Sequence, residues 1–193
     1  VSDEVALDAD GISVATSVGN NAALVIGGAL ADGGSVTNAS GRQVTILSAG
    51  NDSSKSFNVV GTDVNGDSLT ENVTGANAGT ATSSGYFKTI ASITAVGNPA
   101  GNVSAGINAN AADVIFAGRT RLKGFSFVSG GTAGKANIRN GSVTGTEVVQ
   151  FRSIGTDDSS EDPFIPDEGL LFKDGCFVTF VVPQFDLMMF YHA

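Results

Sequence analysis

The stretch Ser56-Phe57-Asn58-Val59-Val60-Gly61-Thr62-Asp63-Val64-Asn65-Gly66-Asp67-Ser68-Leu69-Thr70-Glu71-Asn72-Val73-Thr74 decides the architecture. Two β-prone runs flank an Asn-Gly pair. Both residues of that pair tolerate positive φ, so the segment reads as a hairpin. A strict two-residue turn at Asn65-Gly66 pairs Val59 with Asn72 and Phe57 with Thr74. That register sets Phe57 and Val59 on the opposite face from Leu69 and Val73. Register follows the apolar pattern, because a one-residue slip turns every side chain to the other face. A longer loop or a bulge is therefore expected, with Val59 near Val73.

The same grammar recurs along the chain, in Val44-Thr45-Ile46-Leu47 and from Phe87 to Val96. Glycine occupies 26 of 193 positions, nearly twice its ordinary share of about 7%. Glycine supplies turns and weakens helices, so this excess fits many short strands. Charged residues make up 15% of the chain and the mean hydropathy is +0.16, which excludes a disordered polyelectrolyte. No stretch longer than about eight residues holds a 3.6-residue apolar period. The expected fold is all-β, with small β-sandwich or jelly-roll-like domains.

Composition divides the chain into four regions. Residues 1–40 contain Asp3, Glu4, Asp8, Asp10 and Asp32, no aromatic residue and no Lys or Arg. They read as an extended N-terminal arm or, alternatively, as a strand-bearing edge of the first domain. Residues 41–107 form a first β domain, 108–118 a linker, and 119–193 a second β domain; one long sandwich is the competing architecture. Ten of the twelve Phe lie from Phe116 onward, so the heavier core is expected there. Arg139-Asn140-Gly141-Ser142 reads as a tight hairpin pairing Ile138 with Val143. Lys173-Asp174-Gly175-Cys176 reads as another, pairing Phe172 with Phe177 and Leu171 with Val178, with both faces buried. The run Phe185 to Tyr191 is expected as a closing strand.

The inventory for chemistry is short. His192, the sole histidine, stands next to the last residue, a poor place for a catalytic base. Cys176, the sole cysteine, follows an Asp-Gly turn in an apolar strand and reads as a small hydrophobe. Asp63 to Glu71 alternates oxygen ligands, but Gly is fourth and Glu ninth, and an EF-hand needs them sixth and twelfth between helices. Asp157-Asp158-Ser159-Ser160-Glu161-Asp162-Pro163 is the densest acidic run and reads as an exposed loop, with a weak cation site or a contact to a basic neighbour as its functional alternative. Gly27-Gly28 and Gly130-Gly131 match no phosphate-binding fingerprint. The net charge of -9 argues against nucleic acid, which needs clustered Lys and Arg. Arg119, Arg121 and Lys123 alternate as one strand face, solvated or anchoring an acidic loop. No apolar run reaches membrane-spanning length. No enzyme activity and no cofactor are expected.

Two stretches carry a resemblance. Val59 to Glu71, with Thr74-Gly75-Ala76-Asn77-Ala78-Gly79-Thr80, resembles a segment recurring in virion structural proteins of tailed phages, marine podoviruses especially. So does the series Arg121-Leu122-Lys123-Gly124, Asn140-Gly141-Ser142 and Pro166 to Gly175. These are turn-and-strand patterns rather than catalytic signatures. The resemblance implies a β-rich accessory virion subunit: a capsid decoration (cement) protein on the capsid surface, or a tail or fibre component. Its implied partners are the major capsid protein and further copies of itself, a trimer being suggested by the three-fold positions of capsids. On this reading Leu24, Val25 and Ile26 are the arm's contacts, adding a strand to an exposed sheet edge. Phe185, Met188 and Phe190 lie near a subunit interface. A carbohydrate-binding module is the remaining class, disfavoured because the chain has no Trp and only Tyr86 and Tyr191.

Overall fold

The computed structural model describes residues 7–129, 133–153, 160–161, 165–166, 168–181 and 185–192. Every regular element among them is a strand, the sheets are antiparallel and open, and no helix is present. The chain divides into two compact units, one ending at Ala109 and the other beginning at Asn110.

The first unit contains β1 (Asp8–Thr16), β2 (Ala31–Asp32), β3 (Ser35–Ser48), β4 (Ser56–Thr62), β5 (Ser68–Thr74), β6 (Thr80–Thr82), β7 (Phe87–Val96) and the first half of β8 (Val103–Phe116). Their order is β8-β3-β7-β4-β5, with β1 on β8 and both β2 and β6 on β3. The hairpin β4–β5 closes through a five-residue loop and pairs Phe57 with Val73, Val59 with Glu71 and Gly61 with Leu69. The longer loop thus brings Phe57, Val59, Leu69 and Val73 to one face, as the apolar pattern demands. Asn58 and Asn72 pair on the other, where Asn58 Nδ2 donates to Asn72 Oδ1 at 3.0 Å. Within the loop, the amides of Asn65 and Asp67 both donate to Asp63 Oδ1, at 2.8 and 3.0 Å. Gly66 takes φ +87°.

Residues 8–40 do not form a free arm. Ile12 and Leu24 are buried with Val36, Ile46, Phe57, Phe87, Ile90, Ile93 and Ile107 in one apolar core. The Asn21 N–H donates to Ala95 O (2.9 Å), Ala95 N–H to Ala22 O (3.0 Å) and Leu24 N–H to Ile93 O (2.8 Å). This short segment therefore extends the sheet along β7. There β4 holds the other edge of β7, from Ile93 to Val96, while β3 pairs only with its beginning. The segment adds a single bridge, Ala23 to Thr94, to an edge of its own unit rather than a strand to the shell or to a sister subunit.

Glycine is required where strands shift register. At Gly61, beside the irregularity in the β4–β7 ladder, a Cβ would lie 1.9 Å from Thr89 O. Only a residue without one fits so close a backbone approach.

The second unit contains the rest of β8, β9 (Thr120–Ser129), β10 (Gly134–Asn140), β11 (Thr146–Ser153), β12 (Ser160–Glu161), β13 (Leu170–Phe172), β14 (Cys176–Val181) and β15 (Phe185–His192). One sheet runs β11-β10-β14-β8; in the other, β9 pairs with β12, β13 and β15. Between them pack Ala111, Ala136, Ile138, Cys176, Val178 and Phe180 from the first sheet, and Leu122, Phe125, Phe172 and Leu187 from the second. The rings of Phe125 and Phe151 meet tilted by 39°, with centroids 3.6 Å apart.

The boundary between the two units, Ala109 to Asn110, falls inside the stretch read as a linker, and there the chain runs on as strand: residues 108–116 continue β8, with Ala111 to Val114 and Phe116 paired to β14. Two expectations are corrected here. Ile138 pairs with Val149 rather than Val143, because five residues connect Asn140 to Thr146. The Asn140 side chain is engaged elsewhere, its Oδ1 accepting from Asp174 N–H (3.1 Å) and its Nδ2 donating to Asp174 Oδ2 (2.9 Å). Finally, Phe172 does not pair with Phe177, nor Leu171 with Val178. Phe172 pairs with Thr120 and Leu171 with Arg121 in one sheet, while Phe177 and Val178 pair with β10 and β8 in the other. The Lys173-Asp174-Gly175 turn is a crossing between sheets. Both faces of β14 are nonetheless buried: Cys176, Val178 and Phe180 face the second sheet, and Phe177 and Thr179, on the other face, are each 4% exposed.

Candidate interaction surface

β15 begins at Phe185 and pairs antiparallel with β9 over its whole length. Among the described residues no strand pairs with its other edge. Leu187 points inward and is buried, and Met189 packs against the core. Met188 and Phe190 point outward and are 61% and 56% exposed. Simple alternation would turn Tyr191 inward. Instead a bulge between Phe190 and Tyr191 resets the phase, leaving Tyr191 48% exposed with its ring 5.5 Å from that of Phe116. At its far end Thr120 Oγ1 donates to His192 O (2.9 Å), tying the strand to β9.

The result is an apolar ridge on an open sheet edge. A groove of about 230 Å³ runs beside it, lined by Val114, Ile115, Leu187, Met188, Met189 and Tyr191. Natural sheets guard such edges with Lys, Pro or inward charges. From Leu187 to Tyr191 this edge carries none. Phe185 opens the same strand, opposite Ser129; its side chain lies outside the described residues.

Of the three residues expected as arm contacts, Leu24 is 3% exposed and belongs to the core. Ile26 packs against that core. Val25, at 73% exposure, alone presents its side chain to solvent. The separation follows from the bridge Ala23 makes with Thr94, which turns alternate side chains in and out.

Cys176 is buried, and burial pushes its thiol up to about 12. A thiol held neutral is a poor nucleophile. Arg121 forms an ion pair with Glu168 (3.0 Å) and also donates to its carbonyl (3.3 Å), so the basic strand face anchors an acidic turn. The acidic run from Asp157 lies outside the described residues except for Ser160 and Glu161, and so do Gly130 and Gly131. Among the described residues no group of three or more His, Cys, Asp or Glu could hold a metal ion.

Two buried charged residues escaped the sequence reading. Arg42, 2% exposed, donates to Ala109 O (3.0 Å), and burial lowers it to about 10. Asp52, with no exposure at all, accepts from Ala100 N–H through Oδ1 (2.7 Å). Its own N–H donates to Ala76 O and its carbonyl accepts from Lys55 N–H, so one residue ties three loops together. An Asp within Asn51-Asp52-Ser53-Ser54 looks like any surface turn.

Comparison with known protein families, curated proteins and solved structures returns no match for this chain.

Proposed function

We propose that this chain is a non-enzymatic structural subunit of a phage virion, acting as a capsid decoration protein that binds the head shell and stabilises it. The observation that carries the reading is the apolar ridge of Met188, Phe190 and Tyr191 on the edge of β15 that pairs with no strand among the described residues. Exposed side chains of this size on an unguarded edge favour contact with another polypeptide. The virion setting comes from the turn-and-strand resemblance, and the major capsid protein is its natural partner, with further copies of the chain completing the contact. A tail or fibre component is the alternative that shares the same ridge.

Quantitative mass spectrometry of purified virions against the major capsid protein tests the proposal. Copies on the order of hundreds match repeated capsid positions. Roughly six, twelve or eighteen copies would move the chain to the tail axis, whose symmetry sets such counts. Absence from the particle would overturn both readings.

A further inference from the structure

The two Asn-Gly pairs in this chain are chemically alike and structurally opposite. Asn65-Gly66 lies exposed at the tip of the β4–β5 loop. Asn65 Nδ2 makes one long bond, to Asp63 Oδ2 at 3.2 Å, and the Gly66 amide donates to Asp63 O at 3.1 Å. Nothing lies within 4 Å of where a Gly66 Cβ would be, so the backbone there has room to rotate. Asn140-Gly141 ends β10, half-buried, with both neighbouring strands paired to Asn140. Both polar atoms of its side chain are held by Asp174, and the Gly141 amide donates to Gly175 O at 3.0 Å.

We infer that Asn65 is a site of spontaneous backbone-assisted deamidation, while the same dipeptide at Asn140 is protected by its fold. The Gly66 nitrogen gives up its proton and attacks Cγ of Asn65. The Cγ–Nδ2 bond breaks and ammonia leaves, forming a five-membered cyclic imide. Solvent water then adds to one of the imide carbonyls and reopens the ring, leaving aspartate or its β-linked isomer. No electron is transferred, and water is the only co-reactant. Glycine after Asn offers the least hindered nitrogen, having no Cβ to obstruct ring closure. The product places a carboxylate where an amide now donates to Asp63, between two existing acids, so the hairpin tip gains a negative charge with age.

The test is timed incubation of the folded chain in mildly alkaline ¹⁸O-water, followed by peptide mass spectrometry. Asn140 must surrender two side-chain bonds and a strand end before its ring can form. Asn65 needs only a loop turn to open, so its peptide should acquire label faster by on the order of tenfold or more. In denaturant the two peptides should label at similar rates. Equal rates in the folded chain, or a folded Asn65 that stays intact while the denatured chain reacts, would overturn the inference. So would failure of the denatured chain to react at either position.

Discussion

Leu24→Ala and Val25→Ala form a matched pair, adjacent in sequence and opposite in environment. Neither change removes a backbone bond, so the short pairing with β7 is the same in both variants. Leu24 is 3% exposed among Ile12, Ile93 and their neighbours, whereas Val25 is 73% exposed. Truncating a buried leucine loses its transfer free energy and leaves a cavity, together about 2–5 kcal/mol. Truncating an exposed valine should stay within about 0.5 kcal/mol. In a unit of this size each kcal/mol shifts the melting temperature by about 4–8 °C, so Leu24→Ala should lower it by at least about 8 °C. Calorimetry on the full chain, following the transition of the first unit, reads the difference. If both variants melt within about a degree of the parent, Leu24 contributes nothing to the core, and the account of its docking is wrong.

Gly61→Ala should cost about 3 kcal/mol, because the new methyl meets the Thr89 carbonyl and the overpacking cannot be relieved by a side-chain rotation. Gly66→Ala, in open space at positive φ, should cost only about 1 kcal/mol; denaturant midpoints compare the two, and equal costs would contradict the close approach. Cys176 should resist thiol reagents at neutral pH in the folded chain and react at once in denaturant. Because its folded pKa of about 12 lies above the ordinary thiol value of 9.0, the unfolded chain releases this proton first. Its contribution to stability is then intact below about pH 9 and is lost as pH rises toward 12. A folded-state thiol titrating near 9 would refute this burial.

Local pattern was enough where local pattern decides. The apolar spacing from Phe57 to Val73 demanded a loop longer than two residues, and the structure has one. It failed where partners are distant. Asn140-Gly141 has the chemistry of a tight turn, but Asp174 claims the Asn140 side chain and the loop lengthens. Leu171-Phe172 and Phe177-Val178 are equally apolar, and nothing in either tells which sheet it joins. The acidic, aromatic-free start of the chain resembled an arm because composition averages over Ile12 and Leu24, each buried by residues far along the sequence. Of the candidate surface, Met188 and Phe190 were legible as large apolar residues in a terminal strand. Tyr191 was not, because its exposure depends on a bulge.

The pairing of Leu24 with Ile93 also has a history in time. Translation delivers residue 24 roughly seventy residues before residue 93, which at about 5–20 residues per second is an interval of about 4–14 s. Throughout it, Leu24 and the small-residue strand around it have no β7 to join. The glycine pairs Gly27-Gly28 and Gly33-Gly34 leave the segment free to swing during that wait, and free to dock when β7 arrives. A neighbouring nascent chain that has already made β7 offers the same edge, so crowded synthesis would favour exchanged pairs. The segment that completes the sheet is thus also one through which two copies can become entangled.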